Sequence, residues 1–183
     1  RSALKWNCTM ATIINGKKIA AEILAALKTR PKPVKYFAVI LAGDDASSLS
    51  FIKQKEKAAK ELGIDFRLYQ FQGDIKSDAL RDEVRKIAEH RTCGGAIFQL
   101  PPPAHINRHS ILNVIPREKD VDVLGERALG AFYAGRNPVI PPAVGVVEKI
   151  IETRKLEIGN LHVAVVGLGF LVGKPIATWF TGK

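Results

Sequence analysis

Apolar residues follow two kinds of spacing along this chain. Where they recur every three or four positions they predict amphipathic helices, and such spacing covers 17–29, 47–62, a segment that begins at Ser77, 107–114 and 143–154. Where they form short continuous runs they predict buried strands, and such runs cover 36–42, 64–71, 95–99 and 161–166. Strands alternate with helices, so the pattern predicts an α/β protein built from βαβ units on a mostly parallel sheet.

Proline, glycine and serine mark where these elements begin and end. Pro31 and Pro33 end the first helix, and Ser47 or Ser48 can cap the second. The loop at 135–142 contains one glycine and three prolines, and we place a domain boundary there. The chain is therefore expected to form one domain at 10–139 and a second at 140–183.

The two ends of the sequence differ from the rest. Residues 1–9 lack periodicity and precede Met10, the only methionine, so we expect the native chain to begin at Met10 and the leader to be non-native. The leader has neither the apolar core nor the cleavage site of a signal peptide. At the other end the chain stops at Lys183, inside a helix that has just begun. We therefore expect a fragment truncated at its C-terminus.

Composition and charge exclude several classes of protein. The 183 residues carry 28 Lys+Arg against 18 Asp+Glu, a formal charge of +10, but the basic residues form only short clusters at helical spacing among acids and alanines. That arrangement is typical of solvated helix faces, so no nucleic-acid partner is expected. No apolar run approaches the roughly 20 residues of a membrane span, so no membrane partner is expected either. Two cysteines are too few for a disulfide framework, and a reducing cytoplasm is the simplest compartment.

Three polar features fall at the ends of predicted strands, where α/β proteins bind ligands. Phe51 and Lys55 lie four residues apart on one helix face, where an aromatic plate and an ammonium group could hold a flat ring and transfer a proton. Partial desolvation makes a lysine usable as an acid or base. Gln99 follows a strand and could orient that lysine. Packing against the core, or hydrogen bonding to loop backbone, would explain the same residues without any function.

Two aspartates provide the third feature. Asp120 and Asp122 flank Val121, so in an extended segment both carboxylates would point the same way. One of them could accept hydrogen bonds from an aminopyrimidine ring. A turn or a helix cap is the alternative interpretation of these aspartates.

A glycine-rich segment follows the last predicted strand. Gly167, Gly169 and Gly173 could let backbone N–H groups and a helix N-terminus approach a phosphate. The third glycine comes one position later than in the strict dinucleotide-binding fingerprint. The four histidines lack the partners of a ligand set, so no metal site is expected.

Taken in order, these segments resemble the bifunctional methylenetetrahydrofolate dehydrogenase/methenyltetrahydrofolate cyclohydrolase family. The resemblance runs from about Ile13 to the C-terminus and rests on Ile14-Asn15-Gly16-Lys17, Ser48 to Lys55, Gln99-Leu100-Pro101-Pro102-Pro103, Lys119-Asp120-Val121-Asp122 and Gly167 to Pro175. It implies an N-terminal three-layer α/β substrate domain that binds folate, followed by the beginning of a Rossmann-type dinucleotide-binding domain. It also implies the family's reactions in one-carbon metabolism and purine biosynthesis: NAD(P)-dependent oxidation of methylenetetrahydrofolate, then hydrolysis of the methenyl product to 10-formyltetrahydrofolate. Full-length members are expected to be homodimers.

The resemblance implies roles for individual residues. Lys55 would transfer protons in the cyclohydrolase step, Gln99 would position Lys55, and Asp122 would hold the pterin ring. Phe51 would stack on the aromatic rings of the folate. The remaining substrate contacts would come from Leu100 and Pro101.

The nicotinamide cofactor would bind the glycine turn, through Gly167, Leu168, Gly169 and Gly173. The family usually has an arginine where Leu168 stands, and that arginine could pair with the 2′-phosphate of NADP. The family pattern therefore implies NADP, whereas Leu168 makes NAD more plausible than usual. The family also runs roughly a hundred residues further, so we expect these 183 residues alone to show little or no dehydrogenase activity.

Three other positions depart from the family pattern. Phe51 replaces a tyrosine, so the stacking face is kept and the hydroxyl is lost. Val123 replaces a glycine, and Pro141-Pro142-Ala143-Val144 replaces a Pro-Cys-Thr-Pro segment on the substrate side. Two competing hypotheses remain at this point: a shikimate-dehydrogenase-like enzyme with Lys55 as its catalytic lysine, and a basic, non-enzymatic binding module.

Overall fold

The computed structural model describes residues 12–182, so the expected leader at 1–9 and Met10 lie outside the described residues. The chain divides into two compact units, the first ending at Lys32 and the second beginning at Pro33. In the described part of the first unit, α1 spans Gly16–Lys28 and is capped by Asn15, whose side chain accepts a hydrogen bond from the backbone N–H of Lys18 at 3.0 Å. The expected first helix is thereby confirmed.

The second unit is built around a parallel sheet. Its strands are β1 (Tyr36–Ala42), β2 (Phe66–Phe71) and β3 (Cys93–Phe98), in the order β2-β1-β3. The helices are α2 (Ala46–Glu61), α3 (Ser77–Glu89), α4 (Arg108–Leu112), α5 (Glu126–Tyr133), α6 (Pro142–Arg154) and α7 (Gly173–Phe180). Short 3₁₀ turns lie at Arg117–Lys119 and Ile158–Asn160. The predicted mixed α/β class with a parallel sheet is confirmed.

Alternating side chains of the central strand explain why helices cover both faces of the sheet. In β1, Ala38 and Ile40 are fully buried in a cluster that includes Leu80 and Val84 of α3. Val39 and Leu41 point to the other face and pack with Ile52 of α2 and Ile97 of β3, among other residues. A strand that is buried on both faces reads as a continuous apolar run rather than an alternating one. The result is a sheet between two helical layers, the expected three-layer arrangement.

The strand order creates a crevice at one edge of the sheet. After β1 the chain turns to one side toward α2 and β2, whereas β3 pairs with the other side of β1. After β3 the chain runs on to Asp120, which bridges Ala96 on the side of β3 away from β1, so the connections leave the carboxyl ends of β1 and β3 in opposite directions. Ligands of α/β proteins bind at such a switch point.

Several predicted boundaries are corrected. Asp45, not Ser47 or Ser48, caps α2. The short helix α5 had no sequence prediction, because it is only two turns long and contains Gly130. The predicted domain boundary near 135–142 stays a prediction; α6 begins at Pro142 within the second unit.

The predicted strand at 161–166 is wrong in this structure. These residues form no regular element, and Leu161, Val163 and Val166 expose 55%, 47% and 99% of their surface. A strand obtains its hydrogen bonds from a neighbour, and in the part of the chain that the structure describes no strand pairs with this segment. Among the described residues, no helix is long and apolar enough to cross a membrane.

Candidate functional site

Helix α2 places two of the expected site residues above the end of β1. Asp45 begins the helix by accepting hydrogen bonds from the backbone N–H of Ser48 at 2.8 Å and from the Ser47 hydroxyl at 2.7 Å. These bonds hold the pKa of the Asp45 carboxyl below its usual value. Phe51 and Lys55 then share one face of the helix, and 61% of Phe51 is exposed. The alternative in which Phe51 packs into the core is therefore wrong.

Gln99 is held so that its carbonyl oxygen faces Lys55. Its backbone N–H donates to the carbonyl of Ile40 at 2.8 Å, which fixes the residue at the end of the sheet. Its side-chain Nε2 donates to the carbonyl of Leu100 at 2.8 Å. The remaining amide oxygen, Oε1, accepts a hydrogen bond from Lys55 Nζ at 3.3 Å. The predicted contact between the amide and the lysine is present.

Asp122 approaches the same ammonium group. Its Oδ2 lies 3.9 Å from Lys55 Nζ, and the two side chains are 25% and 33% exposed. Burial raises the pKa of the Asp122 carboxyl, and the positive charge of Lys55 only partly opposes this effect. Lys55 thus lies between a neutral oxygen acceptor and a half-buried carboxyl.

Asp120 does not share this position. It is buried, and its Oδ2 accepts hydrogen bonds from the backbone N–H groups of Leu124 at 3.0 Å and Gly125 at 2.8 Å. Burial raises the pKa of this carboxyl as well. The predicted extended segment with two parallel carboxylates is wrong, because residues 121–122 form a turn. Asp120 instead closes the turn that presents Asp122.

Val123 completes that turn in an unusual conformation. Its φ is +55°, a left-handed value that glycine adopts readily and a β-branched residue adopts at a cost. Its side chain is nevertheless 1% exposed, so burial of the apolar side chain offsets part of the backbone strain. This explains in physical terms why a glycine would suit the position.

A cleft of about 350 Å³ contains these groups, a volume in the range of small-molecule sites. Its polar residues are Lys55, Gln99 and Asp122. Its other lining residues are Phe51, Phe98, Leu100, Leu124, Pro142, Ala143 and Leu171. A flat, partly aromatic molecule with polar edges suits such a cleft.

The structure brings together the predicted catalytic residues and, except for Pro101, the predicted substrate-binding residues. Phe51, Lys55, Gln99, Leu100 and Asp122 all line the cleft. In contrast, the exposed Pro101 and the predicted cofactor glycines are not among its lining residues. The roles of these residues stay predictions.

Some lining residues had no assigned role in the sequence. Leu124 and Leu171 are apolar residues in irregular segments, and Phe98 is the last residue of β3. Nothing in the spacing of such residues distinguishes a cleft wall from ordinary packing. Pro142 and Ala143 fall in the segment whose departure from the family pattern indicated an altered wall.

The glycine-rich segment has the backbone features of a phosphate cradle. Gly167 has a φ of +94°, and a Cβ added at Gly173 would collide with the carbonyl of Gly167, so the turn requires glycine at both positions. A Cβ at Gly167 or Gly169 would meet no heavy atom within 4 Å, so space is open beside the turn. No side chain caps the start of α7, which is where a phosphate would bind. The segment therefore fits a phosphate group.

In the described residues no group of three or more His, Cys, Asp or Glu side chains is arranged to hold a metal ion. His105 Nε2 lies 2.9 Å from the carbonyl of Ile75, and His90 Nδ1 lies 2.8 Å from the Thr92 hydroxyl. His109 contacts an aromatic ring, that of Phe170. These three histidines thus have local structural contacts.

Known proteins resemble this chain over most of its length. The bifunctional protein FolD of Geobacillus thermodenitrificans is 35% identical over 176 residues, which are 93% of this chain and 62% of that protein. The corresponding protein of a Hydrogenobaculum strain is 29% identical over 170 residues, 90% of this chain and 61% of its own. The chain thus spans about three-fifths of the length of these relatives.

Solved structures show the same fold. A 5,10-methylenetetrahydrofolate dehydrogenase from the silkworm Bombyx mori superimposes with a TM-score of 0.87 at 28% identity, covering 92% of this chain and 61% of its own. The Trypanosoma brucei methylenetetrahydrofolate dehydrogenase-cyclohydrolase, solved with NADP and an inhibitor, gives a TM-score of 0.84 at 28% identity, covering 93% and 61%.

A sequence model of a protein family also matches part of this chain. Residues 14–122, which contain Phe51, Lys55, Gln99 and Asp122, match the model described as tetrahydrofolate dehydrogenase/cyclohydrolase, catalytic domain. The match covers more than half of the chain and decides against the shikimate-dehydrogenase-like hypothesis. This chain belongs to the tetrahydrofolate dehydrogenase/cyclohydrolase family.

Proposed function

We propose that the cleft hydrolyses 5,10-methenyltetrahydrofolate to 10-formyltetrahydrofolate, with Lys55 as the proton-transfer residue. The observation that carries this proposal is the placement of Lys55 Nζ, 3.3 Å from Gln99 Oε1 and 3.9 Å from Asp122 Oδ2, in a cleft walled by Phe51. Family membership supports the same activity. Calorimetry with folate and an absorbance assay of methenyl hydrolysis test the proposal. Absence of both folate binding and hydrolysis would contradict it.

The reaction needs a proton carrier at one point in the cleft. Water adds to the bridging carbon between N5 and N10, and the bond from that carbon to N5 then breaks. The Lys55 ammonium delivers a proton to the departing N5 and then takes one back from the hydroxyl that the added water has become, while the other proton of that water is released to solvent. Gln99 Oε1 accepts a hydrogen bond from Lys55 Nζ and thereby holds the amine in position for these proton transfers.

Other residues would hold the substrate. Phe51 presents an exposed ring on which the folate rings can stack. Leu100 lines the cleft beside it, with Pro101 as the next residue in the chain. Asp122 would accept hydrogen bonds from the pterin N–H groups, for which a carboxylate is a suitable acceptor.

The role of Asp122 predicts a pH dependence. Its raised pKa means that the carboxylate is lost at a higher pH than for an ordinary aspartate, so folate affinity should fall as the pH is lowered through that raised value. Asp122→Asn should bind folate more weakly at neutral pH and show a flatter pH profile. Calorimetric titrations between about pH 4 and pH 8, above the ordinary aspartate pKa of about 3.9, would measure both. Identical profiles for the two proteins would rule out Asp122 as the titrating group.

We also propose the family's dehydrogenase step for the parent protein, with NADP or NAD. The residues that would hold the dinucleotide phosphates are Gly167, Leu168, Gly169 and Gly173. A bound nicotinamide would supply the hydride acceptor for oxidation of the methylene carbon of the substrate. Leu168 has no charge that could pair with the 2′-phosphate of NADP. We therefore propose NAD as well as NADP.

The 183 residues by themselves are expected to catalyse hydrolysis and little or no oxidation. The reason is that residues 161–166, which precede the glycine turn, form no strand and are largely exposed, so the turn lacks the sheet that usually supports it. Assays of both reactions on one preparation would measure the ratio. Dinucleotide-dependent oxidation at a rate comparable to that of hydrolysis would contradict this expectation.

We propose a homodimer for the parent protein, a reducing cytoplasm as its compartment, and no nucleic-acid or membrane partner. The compartment rests on the low cysteine count and on the burial of Cys93 as a free thiol.

A further inference from the structure

Phe170 leaves the glycine-rich segment and packs on α4. Its ring lies edge-to-face against the His109 ring, with centroids 5.9 Å apart and an angle of 73° between the planes. The guanidinium carbon of Arg108 lies 4.8 Å from the centre of the same ring, a cation–π distance. Arg108 Nε also donates to His109 Nε2 at 3.4 Å, which links the two groups that hold the ring.

The same ring contacts the main core. Phe170 is half-buried against the cluster that contains Ile106, Ile111 and Leu112. Its neighbours before Gly167 are largely exposed and in no regular element. Phe170 is therefore an apolar anchor between the glycine-rich segment and the folded unit that contains the sheet.

The next residue along the chain lines the cleft. Leu171 contributes to the same 350 Å³ cleft as Lys55 and Asp122, although about half of its surface is exposed. Residues 167–172 lie in neither a helix nor a strand, so no regular hydrogen-bond ladder fixes the position of Leu171. Gly167 and Gly173 lie close together at the two ends of the segment, and Phe170 packs against the core from between them.

We propose that Phe170, clamped by Arg108 and His109, is a positioning residue that holds Leu171 as a wall of the cleft and thereby sets the affinity for folate. The effect on folate affinity rests on the proposed function. The packing of Phe170 against Arg108 and His109 does not, because it is an observation of the structure. Phe170 is not among the residues that line the cleft with Lys55, so its effect should appear in binding rather than in the chemical step.

The test compares variants in two measurements. Phe170→Ala should raise the KM for the methenyl substrate and the Kd for folate about five- to tenfold while changing kcat less than about twofold. Phe170→Tyr, which keeps the ring, should restore values near those of the wild type. Arg108→Gln should give a smaller change in the same direction, and should add little to Phe170→Ala. The matched control is Val166→Ala, because Val166 belongs to the same stretch and is 99% exposed.

Hydrogen exchange tests the anchor without any ligand. Phe170→Ala should speed exchange of the Lys174 and Ile176 amides, which donate to the carbonyls of Gly169 and Val172 in this segment, at least tenfold and leave β1 unchanged. Unchanged exchange would contradict the claim that Phe170 anchors the glycine-rich segment. Faster exchange with unaltered KM and Kd would overturn its role in binding. Failure of the wild-type protein to bind folate would overturn the proposed function and the affinity claim, while the exchange result would still decide the anchor.

Discussion

Replacing Lys55 with methionine is expected to lower the rate of methenyl hydrolysis by about 10²- to 10⁴-fold, the usual contribution of a general acid–base group. Methionine keeps the unbranched apolar stem of the lysine and lacks its terminal nitrogen, so the cleft nearly keeps its shape while the proton carrier is removed. Folate affinity should change much less, because Phe51 and Asp122 remain in the cleft. The absorbance assay gives the rate, and calorimetry gives the affinity.

The matched control is Lys53→Met. Lys53 is exposed on the same helix, two residues away, and does not line the cleft. It should hydrolyse the substrate at the wild-type rate. Equal losses in the two variants would attribute the effect to the helix rather than to the ammonium group, and unchanged hydrolysis in Lys55→Met would refute the proposed role of Lys55.

Replacing Asp120 with alanine is expected to cost about 3–5 kcal/mol of unfolding free energy. The change leaves the N–H groups of Leu124 and Gly125 without their acceptor in a buried turn, and each unsatisfied group costs about 1–3 kcal/mol. The turn also presents Asp122 to Lys55, so folate binding should weaken together with stability. Urea unfolding at neutral pH would measure the change in free energy.

Two further variants isolate the cause. Asp74→Ala removes an exposed aspartate and should change stability by less than about 0.5 kcal/mol. Asp120→Asn keeps an oxygen at the accepting position and avoids the cost of a buried charge, so it should retain most of the stability. If Asp120→Asn loses as much as Asp120→Ala, the hydrogen-bond explanation is wrong.

The raised pKa of Asp120 also fixes the sign of its pH dependence. Because the folded protein holds this proton more tightly than the unfolded chain, protonation stabilises the fold. That contribution is fully present below the ordinary value of about 3.9 and is lost as the pH rises through the raised folded value. In Asp120→Asn this component of the pH dependence should be absent.

The regular elements of the sheet unit were predictable from local patterns. The apolar run at Tyr36–Ala42 is a strand buried on both faces, and the helical spacing of Leu80 and Val84 places α3 against it. These positions are set by the period of each element, which is a local property. The segment at 161–166 is also apolar but forms no strand. A strand needs a neighbouring strand for its hydrogen bonds, and local pattern does not reveal whether one is present.

The polar residues of the candidate site and their meeting in one cleft were predictable, but the direction of each side chain was not. The positions of Lys55, Gln99 and Asp122 at strand ends follow from the order of elements in an α/β fold, so their meeting in one cleft could be expected. The different roles of Asp120 and Asp122 could not, since the direction of each carboxylate depends on a turn with Val123 at a φ of +55°. The contribution of Leu171 depends on the contact between Phe170 and Arg108. These two residues are some 60 positions apart in the chain, so local pattern does not reveal their contact.

Local sequence pattern was enough to predict the α/β class, the three strands of the sheet, most of the helices, the family, and the polar residues proposed to do the chemistry. It was enough because periodicity and strand-end position are properties of short segments. The packed fold was needed to establish which aspartate faces the lysine, which apolar residues line the cleft, and that an aromatic ring packs the glycine-rich segment against α4. Those features depend on contacts between residues distant in the chain, and such contacts form only when the segments pack together.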